Sequence, residues 1–202
     1  MTDEELLGEW QQGDSKAGEE LFARYFDTIY DFFQRKISDD VSDLVQLTFL
    51  GCIENAENFR GDSTVRAYLY GIARNQLYRY FRDKHRSPAI DFSVSSLQDL
   101  GESPSECFAR QGDAALLGKA LEMIPLDLQI IVELHYWGEI SGPEIAIVLD
   151  VPEGTVRSRL RRALEKLRLA TEEISSSASV NWQSHDTFVH WAKSTKLYEV
   201  PG

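Results

Sequence analysis

The sequence predicts an all-α chain: two small helical domains joined by a flexible linker and followed by a short C-terminal tail. Three observations predict it. Apolar residues recur at three- and four-residue spacing along most of the chain, which is the period of a helix with one buried face. No run alternates as a half-buried strand would. The periodicity breaks between Ser87 and Gly112, where Pro88, Pro104 and scattered Ser, Asp and Gly replace it, and breaks again at the Ser-rich stretch 175–179. The expected units are therefore 1–86, a linker over 87–112, 113–174, and an extension over 175–202.

In the first unit, Leu21, Tyr25, Ile29 and Phe33 repeat every four residues and mark one amphipathic helix. Val45, Phe49, Cys52, Ile53 and Ala56 mark the buried face of a second, and Leu69, Ile72, Ala73, Leu77 and Tyr80 that of a third. On the second of these, the face opposite the core carries Asp43, Leu47, Leu50 and Glu54. Two leucines on an outward face suggest a protein contact rather than a solvated surface. The tail holds Trp182, Phe188, Trp191 and Tyr198, too aromatic for an ordinary disordered end, so it is expected to dock, with Thr187 to Lys196 as a short helix.

The 202 residues carry a net charge of −12, which argues against unaided DNA binding, but the charge is unevenly placed. Residues 1–60 hold 14 acidic and 5 basic residues, whereas 61–86 hold 2 and 6 and 155–168 hold 1 and 6. Two compact basic islands in an acidic chain suggest two local nucleic-acid contacts and a partner that supplies the remaining affinity. The N-terminus is acidic where a secretory signal is basic, and the longest apolar run, Ile145 to Leu149, is far short of a bilayer span. A cytoplasmic protein without membrane insertion is expected. Cys52 and Cys107 lack metal-ligand spacing, as do His85, His135, His185 and His190. No nucleophile–base constellation stands out, so neither an enzyme nor a cofactor is expected.

The second basic island lies in a helix-turn-helix pattern. Ser141 and Glu144 have capping-box spacing, Asp150 sits where the turn needs a permissive residue, and Pro152 suits the start of the next helix. In that helix Val156, Leu160, Ala163, Leu164 and Leu167 share a core face. Arg157, Ser158, Arg161 and Arg162 share another, from which guanidinium groups reach phosphates and base edges in a major groove, with Thr155 beside them.

Helix-turn-helix units occur in many regulators, and the first unit narrows the field. Asp43-Leu-Val-Gln-Leu-Thr-Phe49, Phe59-Arg-Gly-Asp-Ser63 and Tyr68-Leu-Tyr-Gly-Ile-Ala-Arg-Asn75 resemble the second conserved region of extracytoplasmic-function (ECF) sigma factors of bacterial RNA polymerase. Residues 119–168, above all Gly154-Thr-Val-Arg-Ser-Arg159, resemble their fourth region. The resemblance covers about residues 15–170 in the family's order and spacing. It implies a factor that directs core RNA polymerase to promoters.

By this resemblance, Asp43, Gln46, Leu47, Leu50 and Glu54 contact the polymerase clamp, and Thr155, Arg157, Ser158, Arg161 and Arg162 read the minus-thirty-five element. Phe59, Arg60, Asp62, Tyr68, Arg74, Asn75, Arg79 and Arg82 capture and track the minus-ten strand, with Lys84 and Arg86 beyond them. Tyr70 and Tyr78 suit the core as well as the strand. The implied partners are core polymerase, promoter DNA and an anti-sigma factor. Ser42 and Thr48 stand at or near a usually acidic position and suggest phosphorylation by a Ser/Thr kinase, although Ser42 equally suits a helix cap. A conventional helix-turn-helix regulator working without polymerase is the alternative, and a helical adaptor a further one.

Overall fold

The computed structural model describes residues 1–56, 59, 61–103, 113–174 and 190, and over these the chain is helical, with one isolated β-bridge, Ser96 to Pro125. Apart from His190, the tail expected to dock lies outside the described residues. Among the described residues eight helices are delimited, in order: α1 (Asp3–Gln11), α2 (Ser15–Gln34), α3 (Ser42–Glu54), α4 (Val65–Lys84), α5 (Asp113–Met123), α6 (Leu126–Tyr136), α7 (Gly142–Leu149) and α8 (Glu153–Ile174).

The first of these was not expected. Thr2 and Glu5 form a reciprocal capping box, Glu5 N–H donating to Thr2 Oγ1 at 3.2 Å and Thr2 N–H to Glu5 Oε2 at 2.8 Å. Asp3, Glu4 and Glu5 fill the first turn, where the helix dipole favours negative charge. The acidic start is therefore a helix start. Leu6 and Leu7 are buried against α2, and the Tyr25 hydroxyl donates to Asp3. Trp10 lies so close to Gly18 that a Cβ there would sit 2.5 Å from its Nε1.

Helices α2, α3 and α4 pack together around Leu21, Ile29, Phe33, Val45, Cys52, Leu69, Ala73 and Leu77, all fully buried. These are the stripes the periodicity marks. On α4, however, Tyr70, Tyr78 and Phe81 are buried too, while Ile72 and Tyr80 are only half-buried. The reason is that α4 has cover on a second side, where α7 and the segment after α4 pack against it.

The linker expectation needs correction over residues 87–103, while residues 104–112 lie outside the described residues. Residues 87–103 are irregular, as the Pro and Gly content implies, but they are packed rather than flexible. Phe92, Leu97 and Leu100 are buried. The Phe92 ring stacks on Tyr78 of α4 at 4.2 Å between centroids. Backbone bonds tie the same segment to the second half: Leu126 N–H donates to Ser95 O, Asp127 N–H to Phe92 O, and Gln98 N–H to Glu122 O. Glu102, nearly buried, holds Lys84 at 2.6 Å. Three apolar side chains scattered among polar ones give no period, so their burial was illegible until the surfaces they cover were in place.

In the second half α6 is apolar nearly all round: Leu126, Leu128, Ile130, Ile131, Val132, Leu134 and Tyr136 are buried. Such a helix belongs inside an assembly. α7 and α8 cover part of it. Part of the rest faces the first half, where Lys36, fully buried, meets the 5 % exposed Glu133 side chain at 2.5 Å. The core residues form one continuous cluster through both halves.

Candidate nucleic-acid interface

The helix-turn-helix is built as its residues predict. Ser141 caps α7 and Glu144 returns the bond to the Ser141 N–H at 3.1 Å. Asp150 adopts the left-handed conformation with φ 51 and ψ 52, which lets Val151 N–H reach Ala146 O and close the helix end. Pro152 then accepts from the N–H groups of Thr155 and Val156 and opens α8. Val156, Leu160, Ala163 and Leu167 are buried, so the rotation of α8 is set from below. Arg157, Ser158, Arg161 and Arg162 consequently face solvent, with Thr155 half-buried at their edge. Arg157 lies 2.7 Å from Glu153 with 77 % of its side chain exposed. An exposed ion pair of this kind is worth little, so it holds the guanidinium in place without withdrawing it from another anion.

Glu144 has a second task. Besides its Ser141 bonds it accepts from Thr64 N–H at 3.1 Å, at the start of α4. Burial pushes its carboxyl upward, but hydrogen bonds from Ser141 and Thr64 outweigh this and hold it at about 2. A carboxyl depressed in the folded chain contributes stability above its unfolded value, and that contribution is lost as pH falls through the folded value. Wild type should therefore lose more stability than Glu144→Gln between about pH 4.5 and pH 2. Chemical denaturation at stepped pH checks this, and equal acid sensitivity of both proteins would contradict it.

On α3, Asp43, Gln46, Leu47, Leu50 and Glu54 are all exposed, as the outward face requires. Leu47 and Leu50 keep 42 % and 49 % of their surface in water, an unusual placement for two neighbouring leucines. The phosphorylation expectation fails for Thr48 in the folded chain: its residue is fully buried, and its hydroxyl donates to Leu44 O at 2.7 Å inside the bundle. Ser42 is half-buried and does not cap α3. Val41 stands at the N-cap without a side-chain bond, and Asp40 before it accepts from both the N–H and the hydroxyl of Ser42.

The segment before α4 keeps Phe59 half-buried against Tyr68, with centroids 5.2 Å apart, while the Tyr68 hydroxyl donates to Asn55 O. Asp62 is exposed, and Gly61 takes a φ of 75 that favours glycine. Arg60 lies outside the described residues. Along α4, Tyr68, Asn75, Arg79 and Arg82 are seven, eleven and fourteen residues from the first, so they form one stripe. The last three are exposed. Arg74 does not join them. It lies one residue round, half-buried over the Tyr78 ring at 4.6 Å, with Nε donating to the Tyr78 hydroxyl. Tyr78 in turn donates to Asp127 and belongs to the core. Lys84 is held by Asp39 and Glu102, so it is less available for a DNA backbone than its sequence position implies.

Sequence reasoning missed the residues that join the halves: Lys36, Arg66, Glu133 and Glu139. Arg66 spans to Gly138 O at 3.3 Å and Glu139 at 3.1 Å. A signal for one of them existed, because Glu133 interrupts Ile130-Ile131-Val132 and Leu134, whereas Lys36 follows Gln34-Arg35 and stands in no apolar run. A lone charge in an apolar run is rarely buried unless paired. Among the described residues no cluster of His, Cys, Asp and Glu has metal-site geometry, and burial pushes the Cys52 thiol to about 12.

Comparison with known proteins follows the same division. Residues 21–87 match the family described as Sigma-70 region 2, and residues 114–167 match Sigma-70, region 4. The ECF RNA polymerase sigma-E factor of Escherichia coli K12 is 32% identical over 178 residues, covering 83% of this chain and 93% of that one. The protein of the same name from Haemophilus influenzae is 31% identical over 178 residues, covering 83% and 94%. Among solved structures, CnrH in complex with the cytosolic domain of CnrY has a TM-score of 0.60 at 24% identity, covering 86% of this chain and 99% of that one. The sigma factor RpoE in complex with the anti-sigma factor NepR from Bartonella quintana has a TM-score of 0.56 at 22% identity, covering 76% and 96%. Helices α2 to α4 thus correspond to one sigma region and α5 to α8 to the other, in order, along a chain whose curated relatives align over nearly their whole length: the protein belongs to the ECF RNA polymerase sigma factors.

Proposed function

We propose that this sigma factor reads the minus-thirty-five element with the outer face of α8 and opens the minus-ten element with α4 and the segment before it. The observation that carries this reading is the exposure of Arg157, Ser158, Arg161 and Arg162 on a helix whose opposite side is fully packed. A helix so anchored presents guanidinium groups in fixed directions, which base-edge recognition requires. The stripe of Tyr68, Asn75, Arg79 and Arg82 supports the minus-ten role, with Phe59, Arg60 and Asp62 beside an extruded base. Arg74 serves there only if it leaves Tyr78. Core RNA polymerase docks on Asp43, Gln46, Leu47, Leu50 and Glu54 and supplies catalysis and most of the DNA affinity, which an acidic chain needs. An anti-sigma partner is a further element of the proposal, supported by the solved complex of RpoE with the anti-sigma factor NepR. Run-off transcription with core polymerase on candidate promoters tests the whole. Promoter-specific transcripts are expected, and DNA binding that needs no polymerase would overturn it.

The melting role has its own expected result. Asn75→Ala should reduce open complexes several-fold while leaving closed-complex binding nearly intact, because a base is captured only after the strands part. Permanganate reactivity of minus-ten thymines reads the first and gel shift of the polymerase complex the second. A normal bubble in the variant would remove Asn75 from the site.

A further inference from the structure

The three arginines on the outer face of α8 are not equivalent. Arg157 Nη2 donates to Glu153 Oε1 at 2.7 Å, one helical turn back. Among the described residues Arg161 and Arg162, both exposed, form no ion pair. Ser158 beside them turns its hydroxyl proton to Thr155 O at 2.9 Å. The face therefore holds one tethered guanidinium and two untethered ones. Glu153 is the first residue of α8, directly after Pro152, where the helix dipole favours a carboxylate. Its partner stands four residues on, the spacing at which side chains on a helix meet. Both side chains are open to solvent, Glu153 with 46 % of its surface exposed, so packing does not explain the carboxylate's place there.

A carboxylate is an awkward group on a surface that meets nucleic acid, because it repels phosphates. In a helix-turn-helix the first residues of the second helix lie nearest the base edges, so Glu153 enters the groove together with Arg157. Pressed against DNA, the carboxylate loses water and needs donors in exchange. Those at hand are Arg157 and the exocyclic amino group of a base such as cytosine. Resting on the promoter reading proposed above, we infer that Glu153 is a positioning residue for minus-thirty-five specificity: it holds Arg157 over a base edge and away from the phosphate backbone. A swing of Arg157 to a phosphate would strip Glu153 of its donor where the field of the DNA is strongly negative. In water the ion pair is worth little, but its attraction grows as the dielectric falls at the contact. The tether uses one of five guanidinium N–H groups, which leaves a parallel pair for N7 and O6 of a guanine. Arg161 and Arg162, without a tether, suit phosphates, which fix register and affinity but carry no sequence.

Run-off transcription with core polymerase, at one salt concentration, on promoters carrying each base in turn at every minus-thirty-five position tests this role. Arg157→Lys keeps the charge but loses the fork, and should flatten the preference at one base pair. Glu153→Ala should flatten the preference at that same pair by about 5-fold or more, the lower end of what a bidentate contact contributes. Promoters with the wrong base there should gain output relative to the cognate one, and the ranking at the other positions should hold. Added to Arg157→Lys, Glu153→Ala should change the preference by at most about 2-fold, since the fork it positions is already gone. A preference that Arg157→Lys flattens and Glu153→Ala leaves intact would overturn the positioning role and spare the promoter reading, as would full additivity of the two variants. A uniform fall at every position would reduce Glu153 to a helix-start residue and overturn the role too. If Arg157→Lys, Glu153→Ala and the double variant Arg157→Ala with Arg161→Ala all leave output and preference unmoved, α8 is removed from promoter reading, and this role with it.

Discussion

Alanine at both Arg157 and Arg161 is expected to reduce run-off transcription from a cognate promoter by about 5- to 150-fold or more, since one bidentate arginine–base contact contributes roughly 1–3 kcal/mol of discrimination. Both side chains are exposed, and they lie on the side of α8 away from Val156, Leu160, Ala163 and Leu167. Stability should therefore change little, because surface substitutions away from packing contacts alter it by about 0.5 kcal/mol. Affinity for core polymerase should also hold, as α3 is the helix proposed to make that contact. Transcription from promoters differing only in the minus-thirty-five element separates two roles. A base contact flattens the preference among variants, whereas a phosphate contact lowers output uniformly and reduces the salt dependence of binding. Unchanged output and unchanged preference would remove α8 from promoter reading.

The second large effect is expected on α3. Leu47→Asp with Leu50→Asp should weaken core-polymerase binding by about 30-fold or more, the equivalent of about 2 kcal/mol, because two apolar anchors become charges that would need desolvation in the complex. The exposure of these leucines, 42 % and 49 %, makes the experiment clean. Folding should lose no more than about 1 kcal/mol, since neither side chain is part of the packed interior. Competition for core polymerase against the wild-type factor measures the first quantity and urea denaturation the second. Full affinity in the double variant would leave the exposed leucines without the docking role proposed for them.

Much of this protein was legible one residue at a time. Ser141, Glu144 and Asp150 specify the α7 cap and its left-handed exit by local chemistry that needs no distant partner, and each is found doing so. Leu21, Tyr25, Ile29 and Phe33 share a face whatever they pack on, and that face is buried. The basic side of α8 and the leucine side of α3 were legible for the same reason: opposite each lies a stripe the core must take. The capping box at Thr2 is equally local, but Asp3-Glu4-Glu5 suits a charge bias as well as a first helical turn, and only the Thr2–Glu5 pairing distinguishes them.

The sequence by itself determined where α7 starts and stops, which faces of α2, α3 and α8 are apolar, and which two faces are left to carry basic or leucine side chains. These follow from backbone hydrogen-bond needs within four residues and from a period of 3.6. Only the tertiary structure decided which polar residues are turned inward. Lys36 and Glu133 stand 97 residues apart, and their burial is tolerable only because each supplies the other's countercharge. Tyr78 is turned inward because its hydroxyl finds Asp127 of α6, 49 residues away. Residues 87–103 are packed rather than loose because Phe92 finds the Tyr78 ring. In each case the deciding interaction joins residues distant in sequence, and periodicity is blind to pairings across such distances.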